Sequence, residues 1–262
     1  MTFSFTVLGS SAAVAANDRN LSAHLLNANE RFHLIDCGEG TQFQLRKYHF
    51  SIMRIRHIYI SHLHGDHFFG LVGLLNTMHL LGRRDELTVF GPPELEEIID
   101  LQLQVSQTRL KYPVVHQPLR PDGYHLIVDE ERLEVHSFPL LHSIPAWGFV
   151  FREKKPPRKV PVARSLAYCC DTAYDERIVP WISNARLLYH EATFASEMEN
   201  VAAEKLHATA AQAAAIALKA GAGRLLIGHF SARYEDVQPL VDEARVVFPE
   251  TYAAEEGVRI EI

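Results

Sequence analysis

Ser61-His62-Leu63-His64-Gly65-Asp66-His67 sets three imidazoles and a carboxylate within six positions, directly behind the apolar run His57-Ile58-Tyr59-Ile60. Nitrogen and oxygen donors at that density suit a pair of divalent cations, imidazole favouring zinc and carboxylate serving harder ions as well. Small Gly65 opens the turn, and the run before it reads as a buried strand. The plainer alternative is a solvated His-rich loop, which gives no reason for the strand.

Stepping along the chain, short apolar strands alternate with helical patterns. Strands are expected at Phe3–Leu8, His33–Ile35, His57–Ile60 and Leu87–Phe90, with helices over Gln42–Lys47, Gly70–Leu81 and Glu94–Val105. Tyr124–Val128 and Leu133–Phe138 form an antiparallel pair turned by 129–132, and Ser165–Cys170, Ala185–Tyr189 and Arg224–Gly228 are further buried strands. The Ala-rich run Thr209–Ala220 is a helix that Gly221 ends. This order predicts a layered α/β (α+β) architecture in a single domain, 1–262, with no repeat and no composition shift.

Polar ligands recur where these strands stop. His142 comes shortly after Leu133–Phe138, Asp171 directly after Ser165–Cys170, and His229 directly after Arg224–Gly228. Ligand sites outside strand ends are the rule in open α/β sheets. Each residue alone reads as a loop residue; together with the six-residue cluster they read as a convergent site.

Composition narrows the partners. Nearly half the residues are apolar and the net charge is −6, so nucleic-acid contact would need a local basic patch. Arg152, Lys154, Lys155, Arg158, Lys159 and Arg164 supply one within thirteen residues, where Pro156, Pro157 and Pro161 disfavour helix and sheet interiors. That segment, 152–164, is either a solvated extended loop or a polyanion-binding one. The start of the chain lacks the pattern of a signal peptide, no run is long enough to span a membrane, and three cysteines make no disulfide framework; a reducing cytoplasm is the expected setting.

His62, His64, Asp66 and His67 match the HxHxDH signature of the metallo-β-lactamase superfamily, which the chain resembles. The resemblance implies an αββα sandwich of two mixed sheets flanked by helices, with two zinc ions. One ion would take His62, His64 and His142, the other Asp66, His67 and His229, and Asp171 would bridge them. Asp36 matches the early aspartate that supports the site from behind. Within the superfamily the chain is most similar to the ribonuclease Z family, the tRNA 3′-processing endonucleases. The matching segments are Asp36-Cys37-Gly38-Glu39-Gly40-Thr41-Gln42, the His run with Phe69-Gly70-Leu71, His190-Glu191-Ala192-Thr193, and His229-Phe230-Ser231-Ala232-Arg233-Tyr234. The resemblance implies a tRNA precursor as substrate and a homodimer.

The chemistry needs a proton acceptor and a proton donor around the two metals. Asp66 is the acceptor or water-orienting candidate. His207 is the donor candidate, since imidazole titrates near neutral pH; it also aligns with the first residue of the family's HST motif, here His207-Ala208-Thr209. His190 and Glu191 are expected to support the site as an ion pair or as partners of the ligands, or else to form a buried structural pair. Thr209, Ser231 and Arg233 are the candidate substrate contacts, Arg233 as a bidentate phosphate clamp or as part of a structural salt bridge.

Two departures stand out. Of the family's early PxKxRN loop only Arg19 and Asn20 survive in Ala15-Ala16-Asn17-Asp18-Arg19-Asn20, and only 28 residues separate His142 from Asp171 where the family carries a long tRNA-binding arm. Two alternatives therefore stand beside the endonuclease: the same metal site acting on a small phosphodiester, cyclic nucleotide, lactone or thioester, and a metal-stabilised RNA-binding protein without turnover. Manganese or iron are alternatives to zinc.

Overall fold

The computed structural model describes residues 2–154 and 163–262. These group into two compact units, each built on one seven-stranded mixed sheet.

The first unit comprises Thr2–Leu119 with Glu256–Glu261. Its strands are β1 (Phe3–Gly9), β2 (Ala23–Ala28), β3 (Arg31–Cys37), β4 (Ile55–Tyr59), β5 (Leu87–Gly91) and β6 (Val114–Pro118), with β14 (Arg259–Glu261) on the outer side of β1. Pairing is antiparallel from β14 through β3 and parallel from β3 through β6. Parallel neighbours cannot be joined by a hairpin, so helices fill the crossovers: α1 (Thr41–Lys47) before β4, α2 (Gly65–Phe68) and α3 (Leu71–Leu80) before β5, and α4 (Leu95–Val105) before β6. Leu34, Ile58 and Val89 pack with Leu71, Leu74, Leu75, Met78, Leu95 and Ile99 in one buried core. A leucine so buried contributes roughly 1.5–3 kcal/mol.

The second unit, Arg120–Glu255, orders its strands β13-β12-β11-β10-β9-β8-β7. They are β7 (His125–Asp129), β8 (Leu133–Leu140), β9 (Ala146–Glu153), β10 (Ser165–Cys169), β11 (Leu187–Glu191), β12 (Leu225–Gly228) and β13 (Thr251–Ala253). β7 through β10 run antiparallel, and β10 through β13 parallel. Helices α5 (Glu199–Lys205) and α6 (Ala210–Ala220) precede β12, and α7 (Gln238–Val247) precedes β13.

Every strand and helix expected above is present within one to three residues at either end. β8 runs on through Pro139 to Leu140, because β7 pairs only as far as Ser137 and the proline needs no donor toward that side. β2, β6, β9, β13, β14, α2, α5 and α7 have no counterpart among the expected elements. In β9 the pattern is interrupted by Gly148, where a Cβ would meet the Phe138 ring at 2.4 Å.

The basic segment is corrected in part. Arg152 lies inside central strand β9, opposite Glu134 on one side and Ser165 on the other. Its guanidinium donates to Tyr124 Oη at 2.9 Å; Lys154 pairs with Asp129; and Arg164 forms a buried ion pair with Glu153 at 2.5 Å. These three charges serve the sheet. The remainder, 155–162, lies outside the described residues.

Helix α6 begins with a capping box: Thr209 Oγ1 accepts from Gln212 N at 3.2 Å, the Gln212 side chain accepts from Thr209 N at 3.0 Å, and Gly221 closes the helix in the left-handed region at φ 63°. Losing such a cap costs about 0.5–2 kcal/mol. Thr209→Ala is therefore expected to lower the melting temperature by several degrees, and an unchanged melting curve at fixed metal concentration would refute the cap. No helix among the described residues is long and apolar enough to cross a membrane.

Candidate metal centre

In the first unit, β3 and β4 end side by side and the site is built from both. Asp36, at φ 57°, turns its fully buried carboxylate toward the loop after β4. It accepts from Ser61 N (2.8 Å), Ser61 Oγ (3.0 Å) and His67 Nδ1 (2.8 Å). With Ser61 Oγ donating to Asp36, it accepts in turn from His62 Nδ1 at 3.0 Å. Both histidines thereby keep a lone pair on Nε2. His62 Nε2 lies 3.1 Å from His64 Nδ1, and His67 Nε2 lies 3.6 Å from Asp66 Oδ2. The unit thus presents two donor pairs, His62 with His64 and Asp66 with His67. The backbone N–H of Ala13 donates to Asp66 Oδ2 at 2.8 Å.

In the second unit, Asp171 follows β10 and is 2% exposed. Its two oxygens face different partners: Oδ2 lies 3.6 Å from His142 Nε2, and Oδ1 lies 3.1 Å from His229 Nε2. His142 Nδ1 is held by the carbonyl of Leu206 at 3.0 Å, and His229 Nδ1 by Thr193 Oγ1 at 3.0 Å. A carboxylate turned to two imidazoles suits a bridging ligand. Imidazoles fixed through one nitrogen, with the other turned inward, are characteristic of metal ligands. The donor set of each unit therefore fits divalent cations.

Glu191, at the end of β11, organises the rest of this unit. It accepts from Thr172 N (2.7 Å), Thr193 Oγ1 (2.6 Å), Ala208 N (3.1 Å) and His207 Nδ1 (2.8 Å). Burial pushes its carboxyl up, but His207 beside it outweighs that and holds it below the usual range. The His207 side chain is 15% exposed, against 2% for His142 and His229, so it reaches further toward solvent than those two.

The expected His190–Glu191 ion pair does not form. Neighbours on a strand point to opposite faces, and His190 Nδ1 bonds the backbone carbonyl of Glu191 at 2.7 Å while the carboxylate pairs with His207. Burial pushes the His190 pKa down. Thr209 is 1% exposed, and its hydroxyl caps α6. Arg233 is exposed, its guanidinium 5.9 Å from the centre of the Phe194 ring, and its N–H bonds Ser231 Oγ at 3.4 Å. Sequence reasoning assigned no role to Ser61, Thr193 or the N–H of Ala13. The threonine of His190-Glu191-Ala192-Thr193 was the available signal for one of them.

Two mixed sheets with helices and His/Asp clusters at the strand ends are the hallmarks of the metallo-β-lactamase fold, and solved structures match accordingly. The metallo-β-lactamase fold protein YhfI from Bacillus subtilis is 22% identical with a TM-score of 0.82, covering all of both chains. Human tRNase Z, short form, is 32% identical with a TM-score of 0.84, covering 98% of each chain. The chain belongs to the ribonuclease Z family and to the family described as Anti-Pycsar protein Apyc1, whose model matches residues 3–244. Ribonuclease Z of Parabacteroides distasonis is 38% identical, covering 99% of each chain, and that of Cytophaga hutchinsonii is 41% identical, covering 98% of this chain and 95% of its own. The Parabacteroides alignment spans 301 positions, 39 more than this chain has residues, so at least that many residues of the relative have no counterpart here.

Proposed function

We propose that the chain is a two-metal phosphodiesterase that cleaves tRNA precursors on their 3′ side. The observation that carries this reading is Asp171, its two oxygens turned to His142 and His229, on the same unit as the His207–Glu191 pair. In this reading His62, His64 and His142 hold one cation, Asp66, His67 and His229 the other, and Asp171 joins them. Zinc suits the nitrogen-rich donors, with manganese and iron as alternatives. A homodimer in the cytoplasm belongs to the same proposal, on the strength of the family.

Two cations held by these residues would polarise a phosphodiester oxygen and make water acidic near neutral pH. Asp66 orients the attacking water and accepts its proton. Glu191 fixes His207 Nδ1, which leaves Nε2 to carry a proton to the departing oxygen. Arg233 contacts a phosphate, with the Ser231 hydroxyl beside it.

A second reading keeps the metal site and takes a small phosphodiester. It is favoured by the 39 or more residues present in the relative and absent here, and by a net charge of −6, which leaves little long-range attraction for a large polyanion. Assaying the zinc-loaded protein on a precursor tRNA, bis(p-nitrophenyl) phosphate and a lactone separates the readings. Precursor cleavage together with diester turnover is expected. Diester turnover alone moves the assignment to the second reading, and lactone turnover alone overturns both.

A further inference from the structure

The connection from β1 to β2 is held in an unfavourable shape. Ala13, Asn17 and Asp18 all sit in the left-handed region, at φ 61°, 52° and 59°. Non-glycine residues there cost on the order of 1–3 kcal/mol each and persist only when their surroundings over-determine them. Internal bonds supply part of the restraint: Ser11 N to Asn20 O at 2.9 Å, and Ser11 Oγ to Val14 O at 2.7 Å.

The rest comes from a residue at the far end of the chain. Glu256 Oε1 accepts from Ser10 N (3.2 Å) and Asn20 N (2.6 Å), while Oε2 accepts from Asn20 Nδ2 (2.7 Å) and Gln44 Nε2 (3.1 Å). Both ends of the loop are therefore tied to one carboxylate. The Glu256 backbone is fixed beside β1, bridging Val7, and Gly257 N donates to Val7 O at 2.8 Å. At its tip the loop gives the N–H of Ala13 to Asp66 Oδ2.

We propose that Glu256 is a positioning residue for Asp66: by clamping Ser10 and Asn20 it sets the Ala13 N–H, which orients the Asp66 carboxylate. This rests on reading Asp66 as a ligand and proton acceptor. It also gives Asn20, one of two residues surviving from the family's early loop, a concrete task as the anchor that Glu256 grips twice. The carboxylate is required, because all four partners are donors and a carboxamide would turn an NH₂ group toward some of them.

The test uses the full chain loaded with cobalt(II), read by its visible absorption and by the amide resonance of Ala13, together with kcat, KM and the melting curve. Glu256→Gln is expected to stay folded, to shift both the cobalt spectrum and the Ala13 resonance, and to lower kcat about 10- to 100-fold, the range typical of lost support behind a ligand, with KM within about twofold. Asn20→Ala should move the same readouts in the same direction by less, and it decides the matter if Glu256→Gln fails to fold. A folded variant with the wild-type cobalt spectrum and Ala13 resonance overturns the proposal, whatever its activity. Wild-type protein that binds cobalt but cleaves no precursor tRNA overturns the proposed substrate and leaves the positioning role standing, while wild-type protein that binds no cobalt overturns both.

Discussion

Asp171→Ala is expected to remove both metal ions and to lower kcat/KM by at least about a thousandfold, equivalent to about 4 kcal/mol of transition-state stabilisation. The cause is geometric. One oxygen of Asp171 faces His142 and the other faces His229, so with Asp171 as the proposed bridge its deletion would take a ligand from each set at once. It also removes the negative charge that offsets two cations close together. Metal analysis after gel filtration is the direct check. Two ions per chain still bound to a folded Asp171→Ala protein would end its role as a bridge, and loss of only one would make it a ligand of one site.

The second large effect separates turnover from metal binding. His207→Ala should leave the metal content unchanged and slow turnover about 10²- to 10⁴-fold, the usual contribution of a positioned proton donor. Its ring is tied to Glu191 rather than to Asp171, which argues for proton transfer over ligation. Glu191→Gln should act in the same direction. The Glu191 carboxylate accepts only from donors, so a carboxamide leaves at least one of them facing another donor and lets the imidazole turn. If His207→Ala instead strips a metal, His207 is a ligand, and the proton donor must be sought elsewhere.

These two residues illustrate what the chain discloses when read as text. His62, His64, Asp66, His67, His142, Asp171 and His229 stand out as candidate donors because ligation needs particular side chains and because strand ends announce themselves through apolar runs that stop. The partners that hold them do not. Ser61 and Thr193 act through hydroxyls that most sequences carry in abundance, and Ala13 and Leu206 act through backbone atoms that every residue has. The pairing of His190 with Glu191 looked natural because they are adjacent, yet adjacency on a strand is what sends their side chains to opposite faces. Glu191 finds His207 instead, sixteen positions along the chain.

The fold followed the same division. Strands of mostly apolar residues such as β10 and β12 are evident in the sequence, and so is α6 with its run of alanines and terminal glycine. β2 and β9 were missed because Asn27 and Gly148 break the pattern at positions the sheet nevertheless accommodates. The prolines that follow Arg152 are local signals and place it in a loop, solvated or polyanion-binding. Its place in β9 is set by hydrogen bonding to both neighbours, which no local signal carries.

The three cysteines have a practical consequence. Cys37, Cys169 and Cys170 are all fully buried and none is in a disulfide, and burial pushes the Cys37 thiol up to about 12 and that of Cys169 higher still. Alkylating probes attack thiolates that solvent can reach, so the native chain offers them little to react with. A cysteine introduced at an exposed position, such as the outer face of α4, would then carry a fluorophore or spin label with low background and no need to strip the natural thiols first.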